Sequence, residues 1–217
     1  MSKSFAVGAL LAVAGGFTDA YSYLIRGGVF ANAQTGNIVL MAVSLANKDF
    51  SRAVSYLIPI LSFALGILIA ELVKGKFRQS SLIHWRQIVV FFEILLLTAC
   101  AFVPSGKYDT VVNIIISFVC AMQVECFRII NGNSVATTMC TGNLRSGTEL
   151  LFLGVENKDK DKIIRALNYY GIILFFVAGA VIGTVLTDFT GVKSILFASV
   201  VLILVFIAMF KKERTAD

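Results

Sequence analysis

Six stretches of this chain are apolar for about the length needed to cross a bilayer, and two shorter stretches with polar residues at their middles lie between them. A transmembrane helix needs about 20 predominantly apolar residues to pass a hydrocarbon core of about 30 Å. The runs 5–25, 53–73, 87–103, 111–130, 164–187 and 192–210 approach or meet that length and are bounded by charge or glycine. Composition agrees: 58% of the 217 residues are hydrophobic and 15% charged, where ordinary globular domains run at about 45–50% and about 25%. The expected fold class is therefore all-α and polytopic, one membrane domain over residues 1–217 with the lipid bilayer as its first partner. It has six transmembrane helices plus two short re-entrant or broken helices within 28–47 and 133–154. Lys3 followed by the apolar run Phe5–Ala14 has the pattern of a secretory signal, but the run continues to Ile25 and its distal part recurs later, so the segment is expected to be retained.

Several function classes lose their chemistry at this stage. His84 is the single histidine, so neither a histidine-based triad nor a histidine-rich metal site is available. Cys100, Cys120, Cys126 and Cys140 lie in or beside apolar runs without a CxxC pair and read as small core residues. No cofactor is expected, and an enzyme ranks below a transporter or a scaffold. The net charge of +6 is explained by cytoplasmic loops of a membrane protein, without a nucleic-acid partner.

The two short stretches belong to a repeat. An offset of 106 residues places Thr35-Gly36-Asn37 on Thr141-Gly142-Asn143, Asp19 on Glu125 and Tyr21 on Phe127. After an insertion of seven residues, Arg52-Ala53-Val54-Ser55-Tyr56 falls on Arg165-Ala166-Leu167-Asn168-Tyr169, and Gly66-x-x-x-Ala70 on Gly179-x-x-x-Gly183. Polar matches at one offset inside hydrophobic sequence rarely arise by accident, and such repeats are a common construction of transporters. Repeat one covers about 5–103 and repeat two about 111–210.

Charge sets the orientation. With both short stretches entering and leaving on one side, Lys3, the 74–86 loop, the 156–165 loop and the tail at Lys211, Lys212 and Arg214 all become cytoplasmic. Arg26, Lys48, Arg52, Lys107 and Lys193 then lie outside. Corresponding points of the halves are separated by an odd number of spans, which makes the repeats inverted.

The candidate site is the polar centre of these repeats. In each, a segment that reads as extended (28–34 and 133–140) leads to Thr-Gly-Asn and a short helix. Thr35 and Thr141 are expected as N-caps, Gly36 and Gly142 as points of close backbone approach, and Asn37 and Asn143 as paired donors and acceptors. Two helix starts facing each other would present free N–H groups to a solute. Asp19 lies in the first span with no cation within a turn, so it needs a backbone partner, water, or a bound proton or cation. Glu125 has Arg128 beside it, and Asn32 and Gln123 complete the candidate set. Arg145 pairs with Glu149 or attracts an anion. Glu71 and Glu93 are expected to snorkel or to pair with cations of the 74–86 loop, and Trp85, Tyr56, Tyr108, Tyr169 and Tyr170 to anchor at the interface.

Gly16-Phe-Thr-Asp19-Ala20, then Phe30, Thr35-Gly36-Asn37 and a second Thr141-Gly142-Asn143 after the Gln123 span, resemble the YoaK-like family of bacterial integral membrane proteins. The resemblance implies a polytopic protein of the bacterial inner membrane and supplies no substrate. That family carries a Gln-Asn pair where this chain has Gln123-Val124-Glu125, a departure at Glu125. The functional expectation is a small transporter or channel for a small solute or ion, proton-coupled if Asp19 titrates in the pathway. The competing class is a non-transporting scaffold, assembly partner or sensor. A second copy of the chain is a further partner left open, and both termini are expected in the cytoplasm.

Overall fold

A computed structural model describes residues 4–77, 85–130 and 133–210. Lys3, Arg78, His84, Lys211, Lys212 and Arg214 lie outside the described residues. In chain order the elements are α1 (Phe5–Ile25), α2 (Gln34–Ala46), α3 (Phe50–Phe77), α4 (Trp85–Cys100), α5 (Asp109–Cys126), a short hairpin of β1 (Ile129–Ile130) and β2 (Asn133–Ser134), α6 (Cys140–Glu156), α7 (Lys160–Thr190) and, after a 3-10 turn at Gly191–Ile195, α8 (Leu196–Phe210). Among the described residues, four stretches of helix are long and apolar enough to cross a membrane: Phe5–Ile25, Phe50–Phe77, Asp109–Cys126 and the 50-residue run Lys160–Met209. The last is broken at Gly191, whose φ of +58° ends α7 and turns the chain into α8. The expected span 111–130 ends earlier, at Cys126, because Ile129–Ile130 pair with Asn133–Ser134 as a hairpin instead of continuing the helix.

Helix α1 is the centre of the bundle, with Leu11, Ala12, Phe17 and Tyr21 fully buried. It packs on α7, and α5 packs on α3; α2 lies on α3 and α6 on α7; α4 meets both α5 and α8, and α8 meets α1. Exchanging α1–α4 for α5–α8 converts this set of contacts into itself. Glycine permits the closest crossings. A Cβ at Gly16 would overlap the Phe176 carbonyl, one at Gly179 the Val13 carbonyl, and one at Gly66 the Phe118 carbonyl, so the Gly66/Gly179 pair expected to pack helices does so in both halves. The outer faces are apolar: Leu61, Leu65, Leu68 and Leu72 on α3, Leu174 and Val181 on α7, and Val200, Leu204 and Ile207 on α8 are all exposed. In water such a surface would be an aggregation liability, whereas hydrocarbon solvates it.

One end of the bundle is tied by Arg26, which the fold buries completely, with 0% of its side chain exposed. Its Nη1 lies 3.0 Å from Asp109 Oδ1, and its other guanidinium N–H groups donate to Tyr21 Oη and to the carbonyls of Cys100 and Val103. Arg26 thus joins the end of α1 to the α4–α5 connection, and Tyr21 Oη in turn donates to the Val192 carbonyl beyond α7. At the opposite end Lys74 and Arg128 both reach Glu125, and Arg86 Nε donates to the Cys126 carbonyl.

Three architectural expectations are corrected. Glu93 is fully buried in α4, with neither carboxyl oxygen hydrogen-bonded among the described residues, because its helix face turns toward the core. Trp85, Tyr56 and Tyr169 are buried in the packing, while Tyr108 is exposed. No ion pair joins Arg145 to Glu149 among the described residues.

Candidate functional site

After α1 the chain turns back on Gly27 and Gly28, both at positive φ (+87° and +75°), where a side chain would be strained. Residues 29–33 then run alongside α1 until the Asn32 N–H donates to Asp19 Oδ1 at 2.6 Å, with the N–H groups of Ala31 and Ala33 also turned toward the carboxyl. Asp19 is therefore held by backbone of the segment before α2, an arrangement suited to negative charge. Asn32 Nδ2 donates to the Gly15 carbonyl and to Thr18 Oγ1, at 3.1 and 3.2 Å. Helix α2 starts just after Asn32, at the level of Asp19.

The triplets hold the segments that precede them. The Phe30 N–H donates to Asn37 Oδ1 at 3.0 Å and Asn37 Nδ2 donates to the Phe30 carbonyl at 2.8 Å, with a further bond to Gln34 Oε1 at 2.9 Å. In the second half the Ala136 N–H donates to Asn143 Oδ1 at 3.2 Å and Asn143 Nδ2 donates to the Ala136 carbonyl at 2.6 Å. Each carboxamide thus closes a ring with the backbone seven residues earlier, and the two rings sit at the repeat offset. Both asparagines are buried, and the backbone takes up the donors and acceptors that a solute would need. The threonines are not N-caps: Ala33 and Met139 hold those positions without a side-chain bond, and Thr35 and Thr141 are first-turn residues. The asparagine rings fix the approach of the chain and leave the threonines on the open side of each helix.

Between the two helix starts lies a cavity of about 900 Å³, within the range of about 300–1,000 Å³ usual for small-molecule sites. Asp19, Asn32, Gln34 and Thr35 line it from the first half, and Thr138, Cys140, Thr141 and Gly142 from the second. Its apolar wall comes from Tyr23, Phe30, Phe63 and Phe176. Phe63 and Phe176 occupy equivalent positions on α3 and α7, and Tyr23 stacks on Phe30 at 4.8 Å. No lysine, arginine or histidine is among the described residues that line the cavity.

The sequence-derived set divides accordingly. Asp19, Asn32, Thr35, Thr141 and Gly142 meet at the cavity. Gly36 packs under the Phe30 ring, whereas a Cβ at Gly142 would meet open space because Ala136 stands where Phe30 does in the first half. Gln123 is turned to the Leu11 carbonyl and Thr137 Oγ1, and Glu125 to Lys74 and Arg128. The repeat-equivalent acids thus differ in environment: Asp19 faces the cavity and Glu125 the basic end of the bundle. Thr138, Phe63 and Phe176 escaped the sequence argument. Thr138 is the repeat equivalent of Asn32 at the 106-residue offset, and this is the signal by which it could have been found.

Comparison with known proteins places this arrangement in a membrane family. The chain is 28% identical over 196 residues, 83% of this chain and 83% of the relative, to the UPF0700 transmembrane protein YoaK of Bacillus subtilis (strain 168), a distant homologue. No solved structure matches it. Residues 7–208 match the family described as Protein of unknown function (DUF1275), so the chain is a multi-pass membrane protein that belongs to the DUF1275 family.

Proposed function

We propose that this protein is a small bacterial inner-membrane transporter or channel whose solute site is the cavity between the starts of α2 and α6. The observation that carries the proposal is that two short helices from equivalent places in the repeats start at one cavity of about 900 Å³, with Asp19 beside them. Helix breaks at that depth are tolerated where backbone lines a wet cavity or is buried in protein, and paired broken helices at a repeat interface are a frequent form of transporter site.

In this proposal α1, α3, α4, α5, α7 and α8 cross the membrane in alternating directions, while α2 and α6 are re-entrant from opposite faces. The exchange symmetry of the packing supports the inverted repeat. The clustering of ends supports the topology: Arg26 joins the end of α1 to the start of α5, and Arg86 joins the start of α4 to the end of α5. Lys74, Lys76, Arg86, Arg128, Lys160 and Arg165 then fall on the cytoplasmic side with both termini. Coupling to protons would use Asp19, the one carboxylate among the described lining residues.

The test is reconstitution. Solutes that raise the melting temperature of purified protein should enter proteoliposomes faster than protein-free vesicles. Thr141→Trp, which fills the cavity from an exposed first-turn position, should abolish that flux. A response to a pH gradient that disappears in Asp19→Asn identifies a carrier, and an unchanged flux a channel. Vesicles no more permeable than protein-free controls to every stabilising solute would make the repeat a scaffold.

A further inference from the structure

Two cavity-lining residues, Asn32 and Thr138, each hold a polar atom that has no partner among the described residues. Asn32 and Thr138 are 2% and 3% exposed, and Asn32 Oδ1 and Thr138 Oγ1 are buried without a hydrogen bond. The orientation of the Asn32 carboxamide is fixed by its own network, since Nδ2 is committed to two acceptors, the Gly15 carbonyl and Thr18 Oγ1. Its Oδ1 is therefore an acceptor that lacks a donor. Thr138 reaches the same face of α1 from the other half, where a Cβ at Gly15 would lie 2.7 Å from Thr138 Cγ2. Gly15 and Asp19 are one helical turn apart, so the unpaired oxygens and the carboxylate converge from three segments on one turn of α1. Buried polar atoms are rarely left unpaired in native proteins, and each exception calls for an explanation.

We propose that the cavity binds a small organic ammonium compound. Its N–H groups are donated to the Asp19 carboxylate, Asn32 Oδ1 and Thr138 Oγ1, and its apolar body lies on the aromatic wall of Phe30, Phe63 and Phe176. This rests on the solute-site proposal above and adds the chemical class. An ammonium group supplies the donors that two acceptor oxygens lack. No described basic side chain in the lining repels it, and aromatic faces attract it. The helix starts are the features that would favour an anion. Just before α2 the Asp19 carboxylate already sets a negative charge on the Asn32 N–H; neither α2 nor α6 has a side-chain cap, so a carboxylate probe is the opposing arm of the test.

The experiment is thermal unfolding of the purified full-length chain at neutral pH with three probes of one shape: phenethylamine, phenethyl alcohol and hydrocinnamate. Phenethylamine is expected to raise the melting temperature in a saturable way, with the other two well behind. Asp19→Asn should weaken amine binding by about ten- to a hundredfold, the value of a hydrogen bond to a charged group. Because Asp19 also holds the backbone at Asn32, Thr138→Val is the second variant. It should weaken the amine by about two- to tenfold while leaving the melting temperature of the free protein unchanged or raised, since it removes an unpaired buried hydroxyl. A loss of amine binding together with lower stability of free Thr138→Val would instead mark a structural hydroxyl and overturn the assigned contact. Stabilisation by hydrocinnamate or the alcohol equal to that by the amine overturns the ammonium class and leaves the cavity as a solute site. Failure of all three probes to stabilise the wild type overturns both.

Discussion

Replacing Asn37 by alanine removes both bonds that fasten the segment at Phe30 to the first turn of α2. The Phe30 N–H and carbonyl are left unpaired, and Gln34 Oε1 loses its donor. An orphaned buried polar group costs about 1–3 kcal/mol. Phe30 is half-buried, so the lower part of that range applies to each of the two backbone groups, and the loss is about 2–4 kcal/mol. For a chain of this size about 2–4 °C of melting temperature corresponds to each kcal/mol, giving a decrease of about 5–15 °C. Asn37→Asp should do no better, because it keeps the acceptor for the Phe30 N–H but sets a carboxylate against the Phe30 carbonyl. Asn143→Ala should lower stability by a similar or slightly smaller amount, since Asn143 lacks the third bond that Asn37 makes to Gln34. The two rings share no partner, so the double variant should be additive within about 0.5 kcal/mol. Thermal unfolding in detergent, followed by circular dichroism, measures all four variants. The sequence alone suggested that these asparagines share one ligand, which would make their effects on binding non-additive. Wild-type melting of Asn37→Ala together with lost solute binding would refute the bracing role.

Arg26→Met should destabilise by about 3–5 kcal/mol, the usual result of removing one partner of a buried ion pair; Arg26→Met with Asp109→Asn should recover part of it, read by the same melts. Glu93→Gln and Glu93→Leu should leave stability unchanged or raise it, because neither carboxyl oxygen has a partner to lose, and a large loss would mean that Glu93 is paired in the membrane. Asp159 caps α7 by accepting from the Asp161 and Lys162 N–H groups, which, with the Lys162 ammonium, hold its carboxyl below the usual carboxylate range. Its contribution is full above the unfolded value of about 3.9 and is lost as pH falls through the lower folded value. Hydrogen exchange at the start of α7 should therefore keep its protection at pH 5 and lose it only in stronger acid; protection already lost at pH 5 would contradict the cap.

The repeat was legible because it is written in polar residues. A Thr-Gly-Asn at one offset was enough to place two short helices, and Asp19 needing a partner left backbone of the first short stretch as one of its alternatives, the one that it meets at Asn32. Spans were legible for the same reason that they are hard to subdivide: hydropathy reports length in hydrocarbon and says little about which face of a helix meets protein. That is why the burial of Glu93, Tyr56 and Tyr169 was missed, and why Phe63 and Phe176 went unnoticed on the cavity wall. Thr-Gly-Asn suggested an N-cap because threonine is a good cap. The Asn ring seven residues back is a non-local bond between two elements, and a fixed spacing alone did not identify which atoms it would join. Glu125 matched Asp19 in position but not in environment, since Lys74 from another helix decides where it turns.

If the space between the starts of α2 and α6 is an aqueous solute site, the wild-type chain carries its own reporter of it. Cys140 is part-exposed and lines the cavity, whereas Cys100, Cys120 and Cys126 are buried in the packing. Native membranes are treated with a charged, membrane-impermeant methanethiosulfonate, and the labelled peptides are identified by mass spectrometry. The account expects modification of Cys140 with the other three cysteines protected, and slower modification when a stabilising solute is present. A Cys140 that stays unreactive until the protein is denatured would show that water does not reach the helix starts, and the proposed site would be dry packing.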